Sequence, residues 1–306
     1  MFDLIIVGGG PGGAAAAVYA ARKQLKTLLI TTDFGGQSIV SEDIQNWIGT
    51  PSISGVDLAQ NFKKHVLTYA GEFVKIVEEE KVVLIEKIDD GFNVKTDLNS
   101  YTTKTVLTCA GSSRKKLNIT GADRLEHKGL TYCASCDGPM FSGMDTIVIG
   151  GGNAGFETAA QLLAYAKSVT LINRSDAYKA DEITVKKVLS NPKMTAITNV
   201  ELLEVKGEKF VEAISFKDLK TGEIREVKTS GIFVEVGQIP NTDFVKKVLD
   251  LDEYGRVKID PWTQTSSTKG IWAAGDCTNI RYHQNNIAAG DAVRATEDIY
   301  LYLHTK

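Results

Sequence analysis

The chain has 306 residues, of which 43% are hydrophobic and 24% charged, and this is enough for two globular domains with their own cores. Lys and Arg number 35 against 38 Asp and Glu, so the net charge of −3 gives no cationic excess for a nucleic-acid backbone. The longest apolar runs have the length of strands, far below the roughly 20 residues that cross a bilayer, so we expect neither nucleic-acid binding nor a membrane span.

The chain opens with the pattern of a βαβ unit. Residues 2–7 form a continuous β-branched run, typical of a strand buried on both faces, and residues 27–31 form the next strand. Between them, a glycine-rich loop at 8–13 leads into an alanine-rich helix at 14–22. Glycines at this spacing allow a tight turn, close approach of the backbone to a pyrophosphate and close packing of helix on strand. The loop therefore predicts a dinucleotide site.

One helix and several strands are predicted between this loop and the middle of the chain. The apolar spacing of residues 55–70 indicates an amphipathic helix. Strands are predicted at 73–77, 81–88, 92–96 and 102–109. We interpret the first three as a β-meander and the fourth as a return to the parallel sheet. A polar run at 112–116 then marks the first crossing between domains.

The same order repeats in the second half of the chain. A strand at 145–149 runs into a second glycine-rich loop at 150–155, followed by a helix at 154–166 and a strand at 169–173. We predict a second meander at 199–228 and a closing buried strand at 232–236. The second crossing follows at 240–242, then a short strand with an acidic end at 271–276 and a final helix at 286–303. The duplication predicts an α/β protein with two Rossmann-like three-layer domains, each with a β-meander.

Two of the four cysteines stand one helical turn apart, just ahead of the second glycine loop. Because the chain shows no export signal, we expect a cytoplasmic protein in which Cys133 and Cys136 are a working redox pair. Cys109 and Cys277 are expected to be small, buried apolar residues. A zinc site would need two further ligands at a suitable spacing, so we expect no metal.

Taken together, these motifs resemble those of low-molecular-weight thioredoxin reductases and of the C-terminal reductase portion of the alkyl hydroperoxide reductase flavoprotein. The resemblance covers essentially the whole chain. The segments that carry it are 8–13, 35–37, 46–47, 133–141, 150–157, 237–242 and 274–278. It implies an FAD-dependent pyridine nucleotide-disulfide oxidoreductase that passes electrons from NAD(P)H, through FAD and the dithiol, to a protein disulfide.

The resemblance also implies a domain arrangement and a set of site residues. A discontinuous FAD-binding domain would comprise residues 1–116 and 243–306, and an inserted NAD(P)H-binding domain with the cysteine pair would comprise residues 117–242. FAD would be held by Gly8, Gly10, Pro11, Gly13, Gly36, Gln37, Asn46, Gly275, Asp276 and Gln284. The nicotinamide cofactor would be held by Gly150, Gly152, Asn153, Ala154, Arg174 and Lys179. Two such chains would form a homodimer.

The same resemblance implies a separate role for each cysteine of the dithiol and for the aspartate that follows it. Cys136 would be the thiol nearest the flavin, Cys133 the one that attacks the substrate disulfide, and Asp137 the proton donor and acceptor. A helix N-terminus can lower the pKa of a C-x-x-C thiol to about 7 or below, so that a thiolate exists at neutral pH. Exchange then runs through a mixed disulfide, which the second thiol resolves.

The nicotinamide side departs from the family pattern. The family reads the 2′-phosphate of NADPH with a His-Arg-Arg cluster and a later arginine, and here only Arg174 and Lys179 remain, with Asp176 between them. The two cations favour NADPH, whereas Asp176 and the missing charges favour NADH. We expect NADPH, with NADH as the alternative.

Three departures concern the flavin side. Residues 31–32 are two threonines where an acidic ribose ligand is usual, although Asp33 follows. The family's Ala-Thr-Gly segment is replaced at 108–111, and its Arg-Gln-Ala triplet matches at 283–285 only in Gln284. With the altered phosphate motif, two alternatives stay open: a reductase fed by another donor such as ferredoxin, and a non-catalytic flavin-binding sensor.

The electron acceptor is expected to be a separate protein. The alkyl hydroperoxide reductase flavoprotein has an additional N-terminal thioredoxin-like domain that receives the electrons, whereas this chain begins directly at the first strand. We therefore expect thioredoxin or a glutaredoxin-like carrier as the substrate.

Overall fold

The computed structural model describes residues 1–41 and 43–305. The chain forms two compact units. Unit 1 comprises Met1–Ser113 together with the segment from Ile239 onward, and unit 2 comprises Arg114–Gln238. Both combine helices with parallel strands, which confirms the predicted α/β class.

The regular elements are numbered along the chain. The strands are β1 (Phe2–Gly9), β2 (Thr27–Phe34), β3 (Val74–Val77), β4 (Val82–Ile88), β5 (Gly91–Thr96), β6 (Ser100–Thr108), β7 (Ser112–Arg114), β8 (Leu130–Thr131), β9 (Asp145–Ile149), β10 (Ser168–Ile172), β11 (Met194–Ile197), β12 (Val200–Lys206), β13 (Ala213–Asp218), β14 (Ile224–Lys228), β15 (Gly231–Val234), β16 (Gln238–Pro240) and β17 (Ile271–Ala273). The helices are α1 (Pro11–Arg22), α2 (Gly55–Ala70), α3 (Ala122–Leu125), α4 (Ala134–Asp137), α5 (Asn153–Leu162), α6 (Glu182–Leu189) and α7 (Asn285–His304).

The main sheet of unit 1 has the strand order β3-β2-β1-β6-β5-β4, and β17 pairs with β6. Strand β1 runs parallel to β2 and β6, and β17 runs parallel to β6. Because parallel strands end at the same edge, the loop after β1 and the segment with Gly275 and Asp276 after β17 meet there. This edge is the carboxyl edge of the sheet in unit 1.

The residues of β1 explain why unit 1 has three layers. Leu4 and Ile6 are fully buried against helices α1, α2 and α7. Ile5 and Val7 point to the opposite face, where they pack with β4, β5 and the segment around Phe244. The strand is apolar at each position from Leu4 to Val7 and is covered on both sides there, as its β-branched sequence predicts.

Strand β3 corrects the predicted meander. It runs parallel to β2, with Thr27 opposite Val74, and therefore belongs to the parallel sheet. The physical reason is the crossover through α2, since a strand that follows such a helix returns in the same direction. The antiparallel meander consists of β4, β5 and β6 instead.

Unit 2 repeats this construction with fewer strands. Its parallel sheet has the order β11-β10-β9-β15-β8, and β12, β13 and β14 form a separate antiparallel meander as predicted. In β9, Ile147 and Ile149 pack against the meander side, where Phe216 is fully buried. Val148 packs on the other face against Phe156 of α5. The second three-layer unit is therefore present.

Several elements of unit 2 are absent from the sequence prediction, among them α6 and β11. Val188 is the buried residue of α6, and β11 lies at the edge of the sheet with its four residues all partly or fully exposed. Helix α6 has Val185, Val188 and Leu189 at helical spacing but is only eight residues long, and β11 shows no alternation of apolar and polar residues.

Candidate functional site

The first glycine loop joins β1 to α1 at the carboxyl edge of unit 1. Gly8 has φ 109°, and a Cβ there would lie 2.4 Å from the carbonyl oxygen of Cys109. A Cβ at Gly13 would lie 1.7 Å from the carbonyl oxygen of Gly8. Helix α1 begins with Pro11 and has no side-chain cap at Gly10, so its first amides are left for an external acceptor.

A cavity of about 370 Å³ lies beside this loop. Seven of the predicted FAD-binding residues line it: Gly8, Gly10, Pro11, Gly36, Gln37, Gly275 and Asp276. It is also lined by residues that the sequence analysis did not assign to the site, including Ser38, Cys109, Asn241, Asn285 and Ala288. The cavity is thus bordered by the loop after β1, by the 3-10 segment Gly36–Val40 and by the start of α7.

Three predicted residues on this side do not line the cavity, namely Gly13, which packs on Gly8, and Asn46 and Gln284. Asn46 and Gln284 are bonded to each other, because Asn46 Nδ2 donates to Gln284 Oε1 at 3.3 Å. Asn286 Nδ2 donates to the carbonyl oxygen of Asn46 at 2.8 Å, which ties the loop at Asn46 to α7. Gln37 Nε2 donates to the carbonyl oxygen of Ser112.

An amide and a hydroxyl that the sequence analysis missed also meet at this wall. Asn285 Nδ2 lies 2.9 Å from Ser38 Oγ, and both residues line the cavity. Asn285 belongs to the triplet that departs from the family pattern. No periodicity signals this pair, since its partners are 247 residues apart.

In unit 2, the predicted redox pair is a disulfide. Cys133 and Cys136 are joined with their Cα atoms 5.3 Å apart, and both are half-buried. Cys133 caps α4, and its Sγ accepts a hydrogen bond from the backbone amide of Cys136 at 3.2 Å. The short helix thus directs its N-terminal amides towards the sulfur of Cys133, which favours a thiolate there when the pair is reduced.

Asp137 follows the disulfide directly. The hydroxyl of Thr131 donates a hydrogen bond to its carboxylate. Burial raises the pKa of Asp137, and the bond from Thr131 together with the charges of His127 and Arg114 works against that rise. A carboxyl that holds its proton above the usual range of aspartate is suited to exchanging protons with a neighbouring thiol.

The second glycine loop repeats the geometry of the first. Gly150 has φ 129°, and a Cβ there would lie 2.3 Å from the carbonyl oxygen of Glu235. A Cβ at Gly155 would lie 2.0 Å from the carbonyl oxygen of Gly150. Helix α5 starts at Asn153 and has no side-chain cap at Gly152, so its first amides are also left for an external acceptor.

The segment after β10 wraps against this loop. Asn173 Nδ2 donates to the carbonyl oxygens of Ser175 at 2.9 Å and Ala177 at 3.0 Å. The backbone amide of Lys179 donates to the carbonyl oxygen of Gly151 at 2.8 Å. The side chains of Arg174 and Lys179 are exposed, together with Asn153 and Ala154 of the loop.

The two remaining cysteines have the predicted environment. Cys109 and Cys277 are free and buried. Burial raises the pKa of Cys277 to about 12 and that of Cys109 well above its usual value, so both stay as thiols at neutral pH. Within residues 1–41 and 43–305 no group of three His, Cys, Asp or Glu side chains could hold a metal ion. Over the same residues, no helix has the length and apolar character that crossing a bilayer requires.

Comparison with known proteins places this geometry in a family. Residues 2–292 match the model of the pyridine nucleotide-disulphide oxidoreductase family, and the chain belongs to this family. It is therefore an oxidoreductase, and its family and structural neighbours imply FAD and NAD(P)H as cofactors.

Among individual proteins, the thioredoxin reductase of Streptococcus pyogenes has a TM-score of 0.92 and 32% identity, covering 100% of this chain and 99% of that one. An NADH dehydrogenase of Bacillus subtilis is 35% identical over 303 residues, or 99% of this chain and 58% of the relative. An alkyl hydroperoxide reductase component of Escherichia coli is 35% identical over 304 residues, with the same coverage of 99% and 58%. The chain thus spans less than two thirds of these two relatives.

Both loops fit the groups that the family implies. A Cβ at Gly10 would meet nothing closer than the Cα of Gly36 at 3.9 Å, and one at Gly152 nothing closer than the carbonyl oxygen of Lys179 at 3.9 Å. The backbone at these two glycines is therefore open to a ligand beside the first amides of α1 and α5. This is the arrangement that a pyrophosphate requires.

Proposed function

We propose that the protein is a thioredoxin reductase-like enzyme that passes electrons from NAD(P)H, through FAD and the Cys133/Cys136 pair, to a protein disulfide. The observation that carries this proposal is the disulfide itself, which lies next to Asp137 in the unit that contains the second glycine loop. Bound FAD supplies the coupling between hydride chemistry and disulfide reduction.

The proposal assigns the cofactors to the two loops. FAD would lie in the cavity of unit 1, with its pyrophosphate held by Gly8, Gly10, Pro11 and Gly13. Its other contacts would come from Gly36, Gln37, Asn46, Gly275, Asp276 and Gln284. The nicotinamide cofactor would be held by Gly150, Gly152, Asn153 and Ala154 of unit 2. Open space at Gly10 and Gly152 supports both assignments.

The thiol chemistry follows from the arrangement at α4. In the reduced pair, the Cys133 thiolate attacks the acceptor's disulfide, which forms a mixed disulfide and releases one acceptor thiolate. Cys136 then attacks Cys133 Sγ, releases the second acceptor sulfur and restores the Cys133–Cys136 disulfide. Two electrons and two protons reach the acceptor, and Asp137 donates one of these protons.

The acceptor that we propose is thioredoxin or a glutaredoxin-like carrier. The structural neighbour named thioredoxin reductase, which this chain matches over its full length, supports this substrate class. The relatives named NADH dehydrogenase and alkyl hydroperoxide reductase make a peroxide-linked carrier the second candidate. We further propose a cytoplasmic homodimer that binds no nucleic acid.

For the electron donor, we propose NADPH, with NADH as the alternative. Arg174 and Lys179 supply two exposed cations after β10, where a 2′-phosphate would lie. Asp176 is exposed in the same segment and favours NADH. A ferredoxin-fed reductase and a flavin-binding sensor remain the competing functions for a chain with this segment.

The test is anaerobic reduction of the purified FAD-loaded protein. NADPH or NADH should bleach the flavin absorbance, and a panel of thioredoxins and glutaredoxin-like carriers should then be reduced. Bleaching by neither nicotinamide would favour the ferredoxin-fed reductase or the sensor. A protein that is colourless and takes up no FAD would overturn the proposal.

Substituting the second thiol separates the two halves of the reaction. Cys136→Ser should still be bleached by the nicotinamide but should reduce carriers at less than about one thousandth of the wild-type rate, because the mixed disulfide is not resolved. Cys277→Ser is the matched control, since its thiol is buried and protonated, and it should keep the wild-type rate. Undiminished carrier reduction by Cys136→Ser would contradict the assignment.

A further inference from the structure

A carboxylate lies at the point where the strand order in the parallel sheet of unit 2 reverses. Strand β10 pairs with one side of β9 and β15 pairs with the other, so the carboxyl ends of β9 and β15 border a topological switch point. Glu235 directly follows β15, and its backbone amide donates to the carbonyl oxygen of Ile149 at 2.8 Å. Dinucleotides bind across such a crevice.

The side chain of Glu235 is held against the middle of α5. Thr158 Oγ1 donates to Glu235 Oε1 at 2.8 Å. Among the residues that the structure describes, Oε2 has no hydrogen-bond donor. The Cβ of Glu235 lies 3.5 Å from the position that a Cβ on Gly150 would occupy. One carboxylate oxygen is therefore fixed by the protein beside the glycine loop, and the other is left to accept a hydrogen bond.

The position of the loop decides which part of a dinucleotide lies near Glu235. A pyrophosphate would lie at the start of α5, and the adenosine ribose would lie on the β10 side, near Arg174. The opposite half would extend towards β15, which Glu235 directly follows. A carboxylate repels phosphate but accepts hydrogen bonds from hydroxyl and amide groups, which are the polar donors of the nicotinamide riboside.

We propose that Glu235 is a positioning residue that accepts a hydrogen bond from the nicotinamide half of the dinucleotide, either from a ribose hydroxyl or from the carboxamide. This inference rests on the proposed function, because it requires a nicotinamide dinucleotide at the second glycine loop. Thr158 orients the carboxylate through Oε1 and leaves Oε2 to accept this hydrogen bond.

The electrostatics of this carboxyl agree with such a role. Burial raises the pKa of Glu235 to about 6, against the lowering effects of the Thr158 hydroxyl and of Arg114, and the neighbouring charge of Glu157 adds to the rise. An ionised carboxylate here opposes folding at neutral pH. Groups kept at a cost to stability are concentrated in functional sites.

The test is equilibrium binding to the oxidised, FAD-loaded protein at pH 8, where the carboxyl is ionised. NADP+, NAD+, ADP-ribose and ADP are titrated against the wild type, Glu235→Gln and Glu235→Ala by quenching of protein fluorescence. Glu182→Gln, an exposed carboxylate of the same unit, is the matched control. Thermal unfolding of each variant shows whether it is folded.

We expect Glu235→Ala to weaken both full dinucleotides about tenfold and to leave ADP unchanged within twofold, because ADP lacks the nicotinamide half. A parallel loss for ADP-ribose assigns the bond to the ribose hydroxyl, and an unchanged ADP-ribose assigns it to the carboxamide. Glu235→Gln should be folded and should show a smaller loss, since its amide oxygen still accepts. Unchanged dinucleotide affinity, or an equal loss for ADP, would overturn the inference. A wild type that binds no dinucleotide would instead overturn the proposed function.

Discussion

The two glycine loops of this protein are nearly identical in geometry and different in surroundings. In each, the last glycine of the motif packs on the carbonyl oxygen of the first. A Cβ added to Gly13 would lie 1.7 Å from the carbonyl oxygen of Gly8, and one added to Gly155 would lie 2.0 Å from that of Gly150. The second glycine of each loop packs close to the second strand of its βαβ unit. A Cβ on Gly9 would meet Asp33 and Thr31 within β2, and one on Gly151 would meet the side chain of Asn173, which directly follows β10.

Beyond the backbone the loops diverge. The first faces a cavity with walls from six separated stretches of chain, the last of them at the start of α7. The second is bordered by the Asn173 segment and by Glu235, which lie on opposite sides of β9. Under the proposed function, the repeated backbone would provide phosphate contacts, and the side chains that differ would decide which nucleotide each unit takes.

The comparison is tested most strongly by adding one methyl group to each loop. Gly13→Ala would place a Cβ 1.7 Å from the carbonyl oxygen of Gly8, and Gly155→Ala would place one 2.0 Å from that of Gly150. Both variants therefore require the loop backbone to shift. Gly13→Ala should yield a protein without FAD, whereas Gly155→Ala should keep FAD and lose bleaching by NAD(P)H. Flavin absorbance and anaerobic titration measure the two results.

Gly290→Ala is the control for both variants, because a Cβ at this helical position meets nothing within 4 Å. It should retain both cofactors and be slightly stabilised. If the two loop variants lost the same cofactor, the assignment of one nucleotide to each loop would be wrong.

A change next to the disulfide should spare both loops. Asp137→Asn keeps a group that can accept the hydrogen bond from Thr131 but holds no exchangeable acid proton. We expect carrier reduction to fall about 100-fold, with flavin bleaching by NAD(P)H unchanged. The wild-type pH profile should contain an ionisation above the usual aspartate range, because burial raises the pKa of Asp137, and this ionisation should be absent from the variant.

Asp123→Asn, an exposed aspartate of the same unit, should behave as the wild type in both assays. Equal loss of bleaching and carrier reduction in Asp137→Asn would show that the residue acts on the nucleotide side rather than on the thiols.

The smallest expected effect concerns the nucleotide preference of the second loop. Arg174→Ala should raise the KM for NADPH about tenfold and leave that for NADH within twofold, because an arginine at this position pairs with the 2′-phosphate. Lys187→Ala removes an exposed cation from α6 of the same unit and should change neither value. Equal shifts for the two nucleotides would mean that Arg174 does not discriminate between them.

The parts of the structure that sequence reasoning predicted are those with a local signal. Both loops, the buried strands β1 and β9, and the Cys133/Cys136 pair follow from glycine spacing, β-branched runs and cysteine spacing. Strand β3 was misassigned because a short apolar strand carries no mark of its direction. Its partner is set by the α2 crossover.

Several site residues were beyond the reach of local patterns. Ser38 and Asn285 meet across 247 residues, and Thr158 reaches Glu235 across 77. Glu235 did have a usable signal, since it lies near the end of the predicted strand 232–236 and ligands bind at the carboxyl ends of parallel strands. That signal becomes specific only when the strand order β10-β9-β15 is known.

Because Cys109 and Cys277 are buried, Cys133 and Cys136 can be labelled selectively by thiol reagents. Thiols of such high pKa react slowly with maleimides and with hydrogen peroxide, so a dye added to the reduced protein would attach at Cys133 and Cys136 alone. The native sequence can therefore carry a reporter of carrier docking without any cysteine having to be removed first.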